Sequence, residues 1–169
     1  MKINKAIFLD RDGVINKKVP EKDFVKNADE LAYLPNVKKI VDVIKKKGYL
    51  VIIISNQSGI NRGIIKKENL EKINEKLKKD LNVDGIYYCP HLPEENCACR
   101  KPKTGLIDMA VMDFNIDIKN SLLIGDNDFD IAAGNAAGCK TIMVDGNKGI
   151  SQIENTLKKV WQNRFCWPK

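Results

Sequence analysis

Aromatic residues are scarce in this sequence, at 7% of 169 positions, and there is a single histidine. The two tryptophans and the scattered phenylalanines and tyrosines form no platform on which successive bases could stack, which disfavours single-strand nucleic-acid binding. No apolar stretch approaches the roughly 20 residues that a membrane-spanning helix needs. The apolar run within MKINKAIFLD is too short for a signal-peptide core, so the cytoplasm is the expected compartment. Internal repeats, low-complexity tracts and linkers rich in proline, glycine and serine are also missing. One domain over residues 1–169 is therefore the expectation. Acidic residues are outnumbered, 22 against 29 lysines and arginines, for a net charge of +7. The surplus falls in helical stretches such as Lys38-Lys39 and Lys45-Lys46-Lys47, which read as solvated helix faces. A positive field of this kind also attracts a phosphorylated metabolite.

What is present is an alternation of short β-rich runs with longer helical patterns. Strands are expected over 6–10, 50–55, 85–89, 121–125 and 141–144. Helices are expected over 36–47, 67–81, 105–113, 129–137 and 150–161; Ile73, Leu77 and Leu81, for example, recur at every fourth position. Gly48 follows a lysine run and Gly138 follows Ala136-Ala137, both as helix stops. Such alternation predicts a doubly wound parallel α/β sheet with right-handed crossovers and helices on both faces. Residues 16–34 show no strong period and read as a loop near the mouth of the first strand. The tail over 163–169, with Phe165 and Trp167, is expected to dock on the body.

A short apolar run, Ala6-Ile7-Phe8-Leu9, ends in Asp10-Arg11-Asp12-Gly13. The run reads as a buried strand, which puts both acids at its C-terminal mouth, where parallel sheets bind ligands. Alternate residues of a strand face opposite ways, but Gly13 lets the chain turn so that both carboxylates enter one crevice. One acid then suits a nucleophile and the other a proton donor, a pairing that serves phosphoryl chemistry. The second strand ends in Ser55-Asn56-Gln57-Ser58-Gly59, where a hydroxyl and backbone N–H groups suit a phosphoryl oxygen. The strand over 121–125 ends in Gly125-Asp126, with Asp130 in the next turn; a third carboxylate there completes an oxygen site for Mg²⁺. Arg100-Lys101-Pro102-Lys103 adds fixed positive charge, able to neutralise a transferring phosphoryl group. Taken singly, each residue has a plain structural use as a cap, a turn or surface charge. Their shared place, at the C-terminal ends of strands or just beyond a loop, is what makes them a candidate site.

Cysteine is present in an odd number, five, and three of them crowd around the single histidine: Cys89-Pro90-His91 and Cys97-Ala98-Cys99. In a reducing compartment this clustering argues for metal over disulfides. Three thiolates and one imidazole form a closed tetrahedral set suited to structural Zn²⁺. Cys99 is bonded directly to Arg100, so a metal there would pin the neighbouring cations over the crevice. Cys139 and Cys166 read as ordinary core or tail residues.

In their order along the chain these motifs resemble those of the haloacid dehalogenase superfamily. Asp10-Arg11-Asp12-Gly13 is similar to its first motif, Ser55 to its second, Lys101 to its third, and Gly125-Asp126 with Asp130 to its fourth. FLDRDGVIN, SNQSGINRG, GIYYCPH and CACRKPKTG are similar to signatures of the group that holds the heptose bisphosphate and histidinol-phosphate phosphatases. The resemblance implies a Rossmann-like core with little or no cap domain and a zinc loop over 89–99. It implies Mg²⁺-dependent hydrolysis of a phosphomonoester through an aspartyl-phosphate. Asp10 would be the nucleophile and Asp12 the acid and base. Mg²⁺ would lie on Asp10, the Asp12 carbonyl and Asp126. Ser55 and Lys101 would hold phosphoryl oxygens, and Asn56, Gln57, Arg100 and Asn127 would face the substrate. The implied partner is a small phosphorylated sugar, with a heptose bisphosphate first and histidinol phosphate second, acted on by a monomer. Asn127 stands where the group often has a substrate-touching lysine, and 16–34 lacks its Gly-Tyr-Val stretch. A basic, zinc-containing nucleic-acid module is the alternative of a different class. It explains the charge and the cysteines but not Asp10, Asp12, Asp126 and Asp130, which repel phosphate unless metal is bound.

Overall fold

The chain was described from a computed structural model that covers residues 3–19 and 24–157. Five strands form one parallel sheet: β1 (Lys5–Leu9), β2 (Tyr49–Asn56), β3 (Gly85–Cys89), β4 (Leu122–Gly125) and β5 (Lys140–Met143). Their spatial order is β3-β2-β1-β4-β5. From β1 the chain first winds outward to β2 and β3, then returns to lay β4 on the other side of β1. The strand order therefore reverses between β1 and β4, where a doubly wound sheet opens a crevice at its carboxyl ends. Asp10 and Asp126 immediately follow these two strands.

The strands are nearly continuous apolar runs because both faces are covered. On one face Ile7, Leu9, Val51 and Ile53 pack with helix α1 (Val37–Lys46) and helix α2 (Lys67–Leu81). Helix α1 buries Val37, Ile40, Val41 and Ile44, and α2 buries Leu70, Ile73, Leu77 and Leu81, each set forming a single stripe at helical spacing. On the other face Ala6, Phe8, Ile52 and Ile54 pack with α3 (Gly105–Phe114) and α4 (Asp128–Ala137). Cys139 is buried in that second layer, as an ordinary core residue.

Two segments differ from the sequence expectation. Where a helix is predicted over 150–161, Gly149–Ile153 forms a 3-10 helix, and residues 154–157 continue as α-helix. Gly149 takes φ +57°, and the Ile150 amide donates to the Val14 carbonyl, which holds this turn tightly against the first loop. The rest of that helix, and the tail with Phe165, Cys166 and Trp167, lie outside the described residues. The loop over 16–34 is more ordered than its sequence suggests. Asn16 bridges to both Asp12 and Tyr33, a short 3-10 helix spans Ala28–Glu30, and Val25, Leu31 and Leu34 are buried in the first layer. No helix among the described residues is long and apolar enough to cross a membrane.

Candidate active site

Lys101 is the centre of the site. Its stem is buried, and its Nζ lies 2.6 Å from Asp10 Oδ1, 2.5 Å from Asp130 Oδ1, and donates to the Ile54 carbonyl at 3.0 Å. Three elements thus meet on one ammonium: the end of β1, the body of β2 and the first turn of α4. Removal from water alone would lower the Lys101 pKa, but the charges of Asp10 and Asp130 outweigh that and raise it. Burial pushes Asp10 up to about 7; the Lys101 charge opposes this, while Asp130 and Asp12 add to it.

Asn56 fixes the backbone of Lys101 from both sides. Its Nδ2 donates to the Lys101 carbonyl and its Oδ1 accepts from the Lys101 amide, both at 3.1 Å. The side chain expected to face substrate is thus engaged in positioning the lysine. The Lys101–Pro102 peptide is cis.

A separate network holds Asp12. Arg11 reaches it through Nε and Nη2, at 2.8 Å for the shortest contact; Asn16 donates to Oδ1 at 2.8 Å and Gln57 to Oδ2 at 2.9 Å. Gln57 also donates to Ser55 Oγ at 2.6 Å. Burial raises the Asp12 pKa, but the Arg11 charge and the hydrogen bonds from Asn16, Arg11 and Gln57 prevail, so the carboxyl sits below its ordinary range. Arg11 is 1% exposed, and its Nη1 is buried without a hydrogen bond.

Asp126 completes the acidic side. One oxygen each from Asp10, Asp126 and Asp130 lie within 4.8 Å of one another. Hard carboxylate oxygens gathered so closely, with Asp130 Oδ2 buried and without a hydrogen bond, are a donor set that fits Mg²⁺. The cradle is built for Asp126. A Cβ on Gly13, which takes φ +92°, would lie 1.9 Å from Asp126 Oδ2, and one on Gly146 would lie 2.3 Å from it. Lys18 reaches the same oxygen, with Nζ at 2.5 Å. Asn127 caps α4, its Oδ1 accepting from the amides of Phe129 and Asp130 at 2.9 and 3.2 Å, so its oxygen is committed to the helix.

Beside the cations stands the cysteine loop. Cys89 Sγ lies 3.5 Å from Cys97 Sγ and from His91 Nδ1; Cys99 Sγ lies 3.5 Å from Cys97 Sγ and 3.3 Å from His91 Nδ1. Sulfurs bound to one tetrahedral zinc at about 2.3 Å would stand about 3.8 Å apart, whereas a disulfide needs about 2.05 Å. The four side chains therefore fit a shared metal ion and do not fit a disulfide. Arg100 Nη1 donates to the His91 carbonyl at 3.0 Å, tying the cation to the loop. A cleft of about 270 Å³ lies between them, lined by Arg100, Lys101, Pro102, Lys103, Pro93 and Phe129 among others.

The sequence reading did not single out Arg11 or Asn16, the two flanking holders of Asp12, nor Lys18 and Gly146. Arg11 had a signal, since it lies between the two paired acids at a strand end. Lys18 had none, being one lysine in a lysine-rich chain.

Buried acids around one lysine at the switch point of a parallel sheet, with a hydroxyl and a second, separately held acid alongside, define a phosphomonoester hydrolase. The chain belongs to the polynucleotide kinase 3 phosphatase family, whose model it matches over residues 5–165. The D-glycero-β-D-manno-heptose-1,7-bisphosphate 7-phosphatase of Helicobacter pylori is 41% identical over 164 residues, covering 94% of this chain and 89% of that one. The corresponding α-anomer 7-phosphatase of Campylobacter jejuni is 40% identical over 145 residues, covering 83% and 81%. Among solved structures, the D,D-heptose 1,7-bisphosphate phosphatase of B. bronchiseptica, complexed with magnesium and phosphate, superposes with a TM-score of 0.78 at 33% identity. It covers 92% of this chain and 86% of that one.

Proposed function

We propose that this chain removes the C7 phosphate of D-glycero-D-manno-heptose 1,7-bisphosphate through an aspartyl-phosphate on Asp10. The observation that carries this reading is the single Lys101 ammonium shared by Asp10 and Asp130 at the β1–β4 crevice. Relatives that act on this sugar, at 40–41% identity over most of the chain, supply the substrate.

Asp10 attacks phosphorus while the bond from phosphorus to the sugar oxygen breaks. Asp12 delivers a proton to that oxygen, then takes one from the water that cleaves the acyl phosphate, so the acid is regenerated and sugar and inorganic phosphate leave. Arg11, Asn16 and Gln57 hold Asp12 as an anion before substrate arrives. An incoming phosphate favours its protonated form by like-charge repulsion. Ser55 offers its hydroxyl to a phosphoryl oxygen, and Gln57 donates to the Ser55 oxygen. Lys101 neutralises the phosphoryl oxygens, with Asn56 locking its backbone. Arg100, and the Asn127 side chain beyond its capping oxygen, would face the rest of the substrate.

Asp10, Asp126 and the Asp12 carbonyl would hold Mg²⁺, which when bound offsets repulsion between carboxylate and phosphate. Cys89, His91, Cys97 and Cys99 would hold a structural Zn²⁺ and so fix Arg100 and Lys101. The test is phosphate release with Mg²⁺ from both anomers of the heptose bisphosphate, with histidinol phosphate as comparator. Preferential release from a heptose bisphosphate is expected. Turnover of histidinol phosphate alone would overturn the substrate assignment.

A further inference from the structure

Lys18 is an unexpected neighbour for a metal-site acid. Its Nζ lies 2.5 Å from Asp126 Oδ2, although the Lys18 side chain is 51% exposed and that of Asp126 is fully buried. The contact is a direct ion pair between the ammonium and a carboxylate oxygen that is closed off from water. The lysine stem runs through a slot that only glycines leave open. A Cβ on Gly13 would come within 2.7 Å of Lys18 Cε, and one on Gly146 within 3.4 Å. The same two absent side chains make room for Asp126 itself. The slot therefore seats an ammonium and a carboxylate together, on a flexible stem whose other side is solvent.

We infer that Lys18 is a tethered counter-cation: it neutralises Asp126 while the metal site is empty, and a divalent cation must displace it. The inference deepens the proposed phosphatase reading, since it rests on Asp126 being a metal ligand. An ammonium on a lysine stem carries one charge and meets one of the clustered carboxylates, whereas a divalent ion carries two and takes several oxygen ligands, so the divalent ion displaces it. Once displaced, the ammonium stays tethered to the loop that follows Asp12, at the mouth through which an anionic substrate enters. Metal binding and anion binding then favour each other, because the first frees the charge that the second meets.

The experiment measures Mg²⁺ binding calorimetrically, with no substrate present, for the unaltered chain, Lys18→Met, Lys18→Gln and Asp126→Asn. It is then repeated with saturating inorganic phosphate. Both Lys18 variants should bind Mg²⁺ about fivefold tighter than the unaltered chain, as expected for removal of a competing charge in direct contact. Phosphate should tighten Mg²⁺ binding in the unaltered chain and do so less in both variants. Unchanged or weaker Mg²⁺ affinity in both folded variants, with binding still abolished by Asp126→Asn, would overturn the role of Lys18 alone. Mg²⁺ binding that survives Asp126→Asn undiminished would overturn the metal assignment and this inference with it.

Discussion

Asp10 and Asp130 share one cation, so the triad with Lys101 carries a surplus negative charge when both acids are ionised. Burial lifts Asp10 from 3.8 to about 7; the Lys101 charge opposes this, and the charges of Asp130 and Asp12 add to it. The folded state then keeps a proton that the unfolded chain has released. This stabilising contribution is complete below the unfolded value of 3.8 and is lost as pH rises through about 7. Mg²⁺ needs the ionised carboxylate, so its affinity should climb between about pH 6 and pH 8, with more protons released on binding at the lower end. Calorimetry in two buffers of different ionisation heat reads both quantities; a flat affinity would refute the raised Asp10. Gly13 makes a second residue-level case. With φ +92° and Asp126 Oδ2 only 1.9 Å from where a Cβ would sit, Gly13→Ala strains the turn and displaces the acid. We expect at least a tenfold loss of Mg²⁺-dependent turnover with the fold retained by circular dichroism; unimpaired turnover would show that the cradle is not needed.

At the scale of elements, helices α1 and α2 are held by single apolar stripes, and the cysteine loop is joined to Arg100 by a polar contact. Leu77 is fully buried on the α2 stripe, far along the chain from the catalytic motifs. Leu77→Ala should cost about 2–5 kcal/mol in urea denaturation while leaving turnover by the folded enzyme unaltered. A loss of activity without loss of stability would mean that α2 does more than support the sheet. The cysteine loop works differently, because Arg100 is tied to it at His91 and Lys101 follows next in sequence. Cys99→Ser should lower zinc content and activity together. Full activity in a zinc-free variant would sever that link. The stripes of α1 and α2 were legible in the sequence because helical spacing is local. The 3-10 turn at Gly149–Ile153 was not, because its shape depends on Val14, which is distant in the chain. The same holds for 16–34, where burial of Val25, Leu31 and Leu34 against α1 and the sheet imposes order that no periodicity announces.

For the molecule as a whole, the strand order β3-β2-β1-β4-β5 converts a linear series of strand ends into one crevice. Asp10, Lys101, Asp126 and Asp130 were legible as a set because the acids lie at or shortly after strand ends and Lys101 just beyond the loop that follows β3, and the parallel sheet collects these segments on one side. What each side chain does there was less legible. Asn56 turned out to hold the Lys101 backbone, and Asn127 to cap α4, since a polar side chain serves whichever neighbour the fold brings within hydrogen-bond reach. The holders of Asp12 and the counter-ion on Asp126 were hidden for the same reason. The central claim is that Asp10 carries the phosphoryl group during turnover. It is tested most directly by acid-quenching the enzyme while it hydrolyses heptose 1,7-bisphosphate with Mg²⁺, then locating the phosphoryl group by peptide mass spectrometry. The account predicts a phosphoryl increment on the peptide that contains Asp10, absent from Asp10→Asn along with activity. An increment on another peptide, or an Asp10→Asn enzyme that turns over at the normal rate, would contradict it.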